Sequence, residues 1–405
     1  MPHLSATLAG VRPSPTIAMT TRARQMRAAG RDVITLAAGE PDFDTPRHIR
    51  EAAKRAIDEG QTRYTDVDGM PALKEAIAEK FRRENGLHHA PSQISVGTGG
   101  KQILFNALVA TLNPGDEVLI PAPYWVSYPD MVRLAGGTPV VLACPHDAGF
   151  RLDPARLEAA ITPRTRWLIL NSPSNPTGAA YDRDGLSALA RVLMRHPHVL
   201  VMSDDIYEHL VFDGFSPATI AAVEPALAGR VLTCNGVSKS YAMTGWRIGY
   251  AGGPEWLIRA MATVQSQSTS CPASVSQWAA LAALTGPQDF LDEWRAVFRR
   301  RRDLVVGALN DIRGVECRRP EGAFYVYPGI GGLIGRISAG GAPITDDTAF
   351  CMALLEEEGV ALVPGAAFGL SPCFRLSYAS SDAALTEACE RITRFCAGLC
   401  QKRRD

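Results

Sequence analysis

Between Pro71 and Ala251 the apolar residues gather in short continuous runs that end in glycine, proline or asparagine, with longer stretches of helical spacing between them. The runs Ile94–Thr98, Glu117–Pro121, Thr138–Ala143, Trp167–Leu170, Val199–Met202, Val231–Asn235 and Ile248–Ala251 have the length of strands. Their largely unbroken apolar character fits strands covered on both faces. Strand and helix alternating in this way predict an α/β domain with a mostly parallel sheet flanked by helices. An apolar helix is expected from Ile103, just after Gly99 and Gly100.

The two ends read differently. Arg12–Ile17 is a stiff, proline-containing lead-in to a helix rich in Ala, Arg and Met; a strand at Val33–Leu36, a rigid connection at Ala38–Pro46 and a helix at Arg47–Gly60 follow. Past a long helical region, Val315–Arg318, Ala323–Tyr327, Val360–Val363 and Phe374–Tyr378 read as short strands around a glycine-rich loop at Gly329–Gly341, with helices near Ala349 and Leu385. The expected layout is a large domain over 47–300 and a smaller α+β domain built from both chain ends, 1–46 and 301–405. The basic run Arg299–Arg302 is expected to be a solvated helix face.

At 405 residues there is room for two domains, and 46% hydrophobic with 21% charged residues is ordinary for a soluble globular protein. Lys+Arg and Asp+Glu both number 42, and this balance argues against nucleic acid or an anionic membrane as principal partner. Met1–Gly10 lacks a signal-peptide pattern and no stretch has the length of a membrane span, so the expected compartment is the cytoplasm. The nine cysteines include no C-x-x-C pair. Cys389, Cys396 and Cys400 are expected on one face of a terminal helix, as free thiols rather than metal ligands.

One stretch carries distinctive chemistry. Asn235–Gly249 reads N-G-V-S-K-S-Y-A-M-T-G-W-R-I-G, with small residues crowding Lys239. A lone lysine among small residues is ordinarily a solvated loop lysine. Tyr241, Met243, Trp246 and Ile248 make this stretch too apolar for that, and a lysine in a dry setting suits Schiff-base chemistry with a carbonyl. Arg247 adds a fork for an oxyanion such as phosphate. The combination points to a pyridoxal 5'-phosphate (PLP) site.

Gly236-Val237-Ser238-Lys239, followed by Ala242, Met243, Gly245, Arg247, Ile248 and Gly249, resembles the cofactor-attachment signature of the class I aminotransferases, PLP fold type I. The resemblance spans the chain from about Arg12 to about Ala397 and is strongest to the bacterial aspartate/prephenate subgroup. It implies that Lys239 forms the Schiff base and shuttles the proton. It further implies that Asp204 pairs with the pyridine nitrogen, Tyr207 and Asn175 bond the phenolic oxygen, and Trp125 lies on the ring face. The phosphate is implied to be held by Gly100, the backbone at Lys101, Ser238, Arg247 and, across a homodimer interface, Tyr64. Substrate contacts are implied for Arg375 and Gly39 at the α-carboxylate, again with Trp125 and Asn175, and for Lys101, Arg12 and Thr16 at the distal group.

Read without the resemblance, some of these residues have plainer explanations. Asn-Pro-Thr-Gly at 175–178 is a turn by composition, and a glycine pair between strand and helix is often only a tight junction. Asp205, beside Asp204, suits a helix cap and carries no assigned role. The implied reaction is ping-pong transamination between L-aspartate and 2-oxoglutarate, with prephenate or aromatic substrates as the alternative. Two departures from the family pattern stand out: Arg12 where the subgroup has lysine, and Gly236 where several relatives carry a serine that donates to phosphate. A P-loop nucleotide binder is set aside because G-x-x-x-x-G-K-[ST] is absent.

Overall fold

The computed structural model describes residues 5–11 and 15–401. After a helix at Pro15–Ala28 and a two-residue strand β1 (Ile34–Thr35), the apolar runs assemble into one seven-stranded sheet. Its strands are β2 (Ile94–Gly97), β3 (Glu117–Ala122), β4 (Thr138–Ala143), β5 (Thr165–Asn171), β6 (Leu200–Asp204), β7 (Val231–Gly236) and β8 (Gly249–Gly252). Their order is β2-β8-β7-β6-β5-β3-β4. β8 runs antiparallel to both neighbours, and the remaining ladders are parallel.

The reversal of β8 has a local cause. Parallel neighbours need a long crossover, usually a helix. β7 and β8 are joined by residues 237–248, which hold only a 3-10 turn at Thr244–Trp246, so the chain doubles back. Lys239 and Arg247 therefore share one connection at the C-terminal edge of β7. β3, β5 and β6 end at the same edge, at Ala122, Asn171 and Asp204, where open α/β sheets bind ligands. The helix after β2 begins at Gly100, three residues earlier than expected, because Gly99 takes φ +84° and turns the chain sharply out of the strand.

The remaining strands are β9 (Tyr325–Val326), β10 (Arg336–Ile337), β11 (Val360–Ala361), β12 (Val363–Pro364), β13 (Phe374–Ser377) and β14 (Cys400–Gln401). β1 pairs with β11 in parallel, β12-β13-β9 form an antiparallel sheet, and β10 pairs with β14. Met19, Met26 and Leu36 from the first residues share one core with Leu309, Phe350, Leu385 and Ile392. The chain ends thus meet in a common apolar cluster, joined by part of the helix Phe290–Asn310. That helix runs unbroken through position 300.

Several local expectations are corrected. Val315–Arg318 makes no strand beyond a single bridge of Glu316 to Gly329, because Asn310 satisfies the Cys317 backbone instead, at 2.8 and 2.9 Å. Val360–Val363 splits at Leu362 into β11 and β12, which pair with different strands. Cys400 lies past the helix Asp382–Ala397, exposed in β14, while Cys389 and Cys396 are buried. Only half of the arginine run is a solvated face: Arg299 and Arg300 are exposed, whereas the Arg301 and Arg302 side chains are 8% and 1% exposed. Helical spacing puts both on the buried side with Phe298 and Val305, and each is matched by aspartates, Arg301 by Asp42 and Asp382, Arg302 by Asp213 and Asp303.

Gly249 is where β8 touches the start of the Gly100–Thr111 helix: a Cβ there would lie 2.5 Å from the Gly99 carbonyl carbon and 2.6 Å from the Gly100 Cα. Neither partner is a side chain that can rotate away. Gly249→Ala is expected to cost about 1–3 kcal/mol by overpacking, read as a lowered denaturation midpoint, whereas Gly245→Ala, with open space around it, is expected to be near neutral.

Candidate active site

At the C-terminal edge of the sheet lies a cavity of about 460 Å³. It brings together Gly39, Gly100, Lys101, Trp125, Asn175, Asp204, Tyr207, Ser238, Lys239 and Arg247, ten of the residues singled out from the sequence. Arg375 stands behind the lining, buried, with Nη1 donating to Asn175 Oδ1 at 2.9 Å and Nη2 to the Ala37 carbonyl at 2.5 Å. Its Nε has no partner among the described residues. Tyr64 is not in the cavity: it is 90% exposed, on an outer groove beside Cys271–Val275. Arg12 lies outside the described residues, and Thr16 falls in the helix Pro15–Ala28 with its side chain outside them.

Two opposite charges set the electrostatics. Lys239 Nζ donates to the Gly39 carbonyl at 2.6 Å. Burial brings its pKa down to about 8; Glu40 opposes this, Arg375 and Arg247 add to it, and Asp204 opposes it. Asp204, at the end of β6, is pushed up to about 6 by burial, against the Tyr128 hydroxyl, the Ile206 N–H and Lys239, which favour its charged form. No cation pairs with its carboxylate among the described residues; its side-chain donor is Tyr128 Oη, 2.5 Å from Oδ2. Tyr128 was missed from sequence. The available signal was its place three residues after Trp125, on the same turn, where the two rings pack edge to face at 5.4 Å.

The anion end is built by backbone. The first amides of the Gly100–Thr111 helix open toward the cavity at Gly100 and Lys101, where a helix start favours negative charge. Arg247 takes a left-handed backbone, φ +57°, which lays its guanidinium against Gly99; a Cβ on Gly99 would come within 2.7 Å of the arginine Cζ. Lys101 Nζ sits 4.8 Å over the Trp125 ring, and burial, then Arg247, lower its pKa. Gly236 has a physical reason: a Cβ there would meet the Ile248 carbonyl at 3.0 Å and the Gly249 Cα at 3.1 Å, so a serine needs its neighbours to give way.

Tyr207 Oη bonds Tyr325 Oη at 2.9 Å, and the Tyr325 ring lies 4.7 Å from the Arg375 guanidinium carbon. Burial, with Tyr325 adjacent, raises the Tyr207 phenol well above its ordinary range. Asp205 takes no part in the cavity; it lines a separate pocket, accepts from Ser203 Oγ at 2.8 Å and is pushed up to about 7, chiefly by burial. Glu84, Glu208 and His209 beside it have metal-ligand spacing. The buried Lys80 ammonium already bonds Glu208 and lies 3.5 Å from Glu84, so the protein supplies that cation itself.

Residues 31–392 match the family described as Aminotransferase class I and II. The aspartate/prephenate aminotransferase of Cereibacter sphaeroides is 69% identical over 98% of this chain and 100% of its own length. The aspartate aminotransferase of Rhizobium meliloti is 60% identical over 93% of this chain and 92% of its own. Among solved structures, the aspartate aminotransferase from Rhizobium meliloti superposes with a TM-score of 0.96 at 57% identity, covering 98% of this chain and 99% of that one. The Thermus thermophilus aspartate aminotransferase with maleate gives 0.91 at 46%, covering 98% and 100%.

A raised carboxylate pKa makes Asp204 a stability cost that grows with pH. Well below 3.8 both folded and unfolded chains hold the proton and the cost vanishes; between 3.8 and about 6 the unfolded chain ionises first and the cost grows, and above about 6 the folded chain carries the charge in a dry place at full cost. In the cofactor-free protein, Asp204→Asn is expected to gain stability over wild type by on the order of 3 kcal/mol between pH 4 and pH 8. Denaturant titrations at both pH values check it, and a pH-independent difference would refute it.

Proposed function

The chain belongs to the class I and II aminotransferase family, and we propose that it moves the amino group of L-aspartate to 2-oxoglutarate, giving oxaloacetate and L-glutamate by a ping-pong cycle. The observation that carries this reading is the pairing in one cavity of a buried amine whose pKa is brought down to about 8 with a buried carboxylate that has no cation partner among the described residues. That donor set fits PLP: an aldehyde for Lys239, a protonated ring nitrogen for Asp204, and a phosphate for the Gly100–Lys101 amides, Ser238 and Arg247. When bound, PLP supplies a sink for the electrons released at the substrate Cα.

The chain's own residues do the rest. Trp125 would give the ring a face, and the Asn175 amide and the Tyr207 hydroxyl would bond its phenolic oxygen. Lys239 would take the proton from the substrate Cα and deliver it to the cofactor carbon on the other side of the substrate nitrogen; an amine near 8 is neutral often enough at physiological pH to act as base, which one at its ordinary value is not. Arg375 offers a planar fork to the substrate α-carboxylate, steadied by Asn175 and Ala37 with Nε left free for it, and Gly39 forms the adjoining wall. Lys101, with Arg12 and Thr16, receives the distal carboxylate. The partner subunit's Tyr64 completes the phosphate site in a homodimer, a role its exposure suits. Among the described residues no helix is long and apolar enough to cross a membrane, and the cysteines are free, which supports a reducing, cytoplasmic setting.

Prephenate is a second acceptor on this reading, because the relative at 69% identity is named for both activities. Its carboxylates meet the same Arg375 and Lys101.

Lys239→Ala is expected to abolish the visible absorbance of the PLP-loaded protein and to lower transamination by at least about 100-fold; normal turnover would defeat the mechanism. Across aspartate, glutamate, alanine, phenylalanine and prephenate, kcat/KM is expected to favour acidic substrates. Lys101→Ala is expected to erase about tenfold or more of that preference, and an unchanged preference would remove Lys101 from the assignment.

A further inference from the structure

Segment 37–45 is one wall of the cavity and is held at both ends and in the middle. At its start Leu36, just past β1, bridges two strands, its N–H donating to the Ala361 carbonyl of β11 at 3.0 Å and its carbonyl accepting from Ser377 of β13 at 2.9 Å, and Ala37 accepts from Arg375. At its end Thr45 Oγ1 donates to the Ala242 carbonyl at 2.6 Å and accepts from Trp246 Nε1 at 3.0 Å. In the middle, the Gly39 carbonyl accepts from Lys239.

That middle contact cannot persist through a catalytic cycle. A lysine ammonium has three N–H donors, but a lysine nitrogen joined to a carbonyl carbon keeps at most one, and one that is moving a proton must turn toward substrate, so the wall's position then depends on what holds residues 40–44. Arg301 does so from outside the cavity. Its Nη1 and Nη2 donate to Asp42 Oδ1 and Oδ2 at 2.7 and 2.9 Å, and its Nε to Asp382 Oδ1 at 2.9 Å. Its guanidinium lies 5.7 Å from the centroid of the Phe43 ring, which stacks on Trp294 at 4.5 Å and 8°. A two-pronged pair with little water around the arginine holds geometry as well as charge.

We propose that Arg301 is a positioning residue for the substrate site: by clamping Asp42 and Phe43 it fixes the Gly39–Glu40 wall, and through Ala37 the fork of Arg375, whenever Lys239 is engaged elsewhere. This rests on the reading of the cavity as the aminotransferase site. A lysine at 301 can keep the charge but has neither fork nor flat face, so it is a partial substitute.

The test compares Arg301→Met, Arg301→Lys and Asp42→Asn in the full-length, PLP-loaded protein. The visible absorbance and PLP content are expected to match wild type. The KM for aspartate and the Kd for maleate, a dicarboxylate that cannot be transaminated, are expected to rise about tenfold in Arg301→Met and Asp42→Asn and less in Arg301→Lys, with kcat changed less than about threefold. Amides of 37–45 are expected to exchange faster with deuterium than in wild type. Asp42→Asn leaves the helix and its core untouched, so it reads the clamp even where Arg301→Met folds poorly. Constants within twofold of wild type, together with unchanged exchange at 37–45, would overturn the proposal. A wild type that binds PLP but transaminates nothing would sink the functional reading instead, and the exchange comparison would still decide the clamp.

Discussion

The structure depends most on a charge imbalance kept out of water. Asp204 ends a central strand with its carboxylate facing a cavity, satisfied by one tyrosine hydroxyl and one backbone N–H. Lys239, the nearby amine, is itself held at about 8 by burial. Burial disfavours the charged form of each, which raises the carboxylate's pKa and lowers the amine's. A binding site built this way sacrifices stability in the free protein to gain affinity and chemistry, a common trade at functional sites.

The sheet makes that arrangement possible through one short connection. Because residues 237–248 hold no crossover helix, only a 3-10 turn, β8 turns back beside β7, and its Gly249 packs directly on the start of the Gly100–Thr111 helix. Amine, arginine and helix start are thereby brought to one edge. The glycines at 99 and 249 are places where a guanidinium or backbone comes too near for a side chain. At 236 the approach is tight but looser, 3.0–3.1 Å, so a serine there asks its neighbours for a small shift.

The chain ends contribute the segment over Lys239 and the buried Arg375. They form one body because residues 19–36 share a core with residues beyond 298, and the stretch leaving that core crosses directly over Lys239. Residues 37–45 thus link the cavity to the core formed by the chain ends, with Arg301 buried against Asp42 between them.

The local pattern alone determined the large sheet's strands, the helix at 47, and the stretch around Lys239. Each depends on residues adjacent in sequence: an apolar run, a capping glycine, a lysine among small neighbours. Arg301 and Arg302 were also partly legible, since Phe298 and Val305 lie on their helical face, but a run of four arginines outweighed that spacing. Tertiary structure decided the rest. The Tyr128 hydroxyl meets Asp204 across 76 positions, and the Gly39 carbonyl meets Lys239 across 200. No local spacing encodes such approaches, because they arise only when separate elements pack. For the same reason the loss of the expected strand at Val315–Arg318 was invisible: whether a short apolar stretch pairs depends on which partner, here the Asn310 side chain, reaches its backbone first.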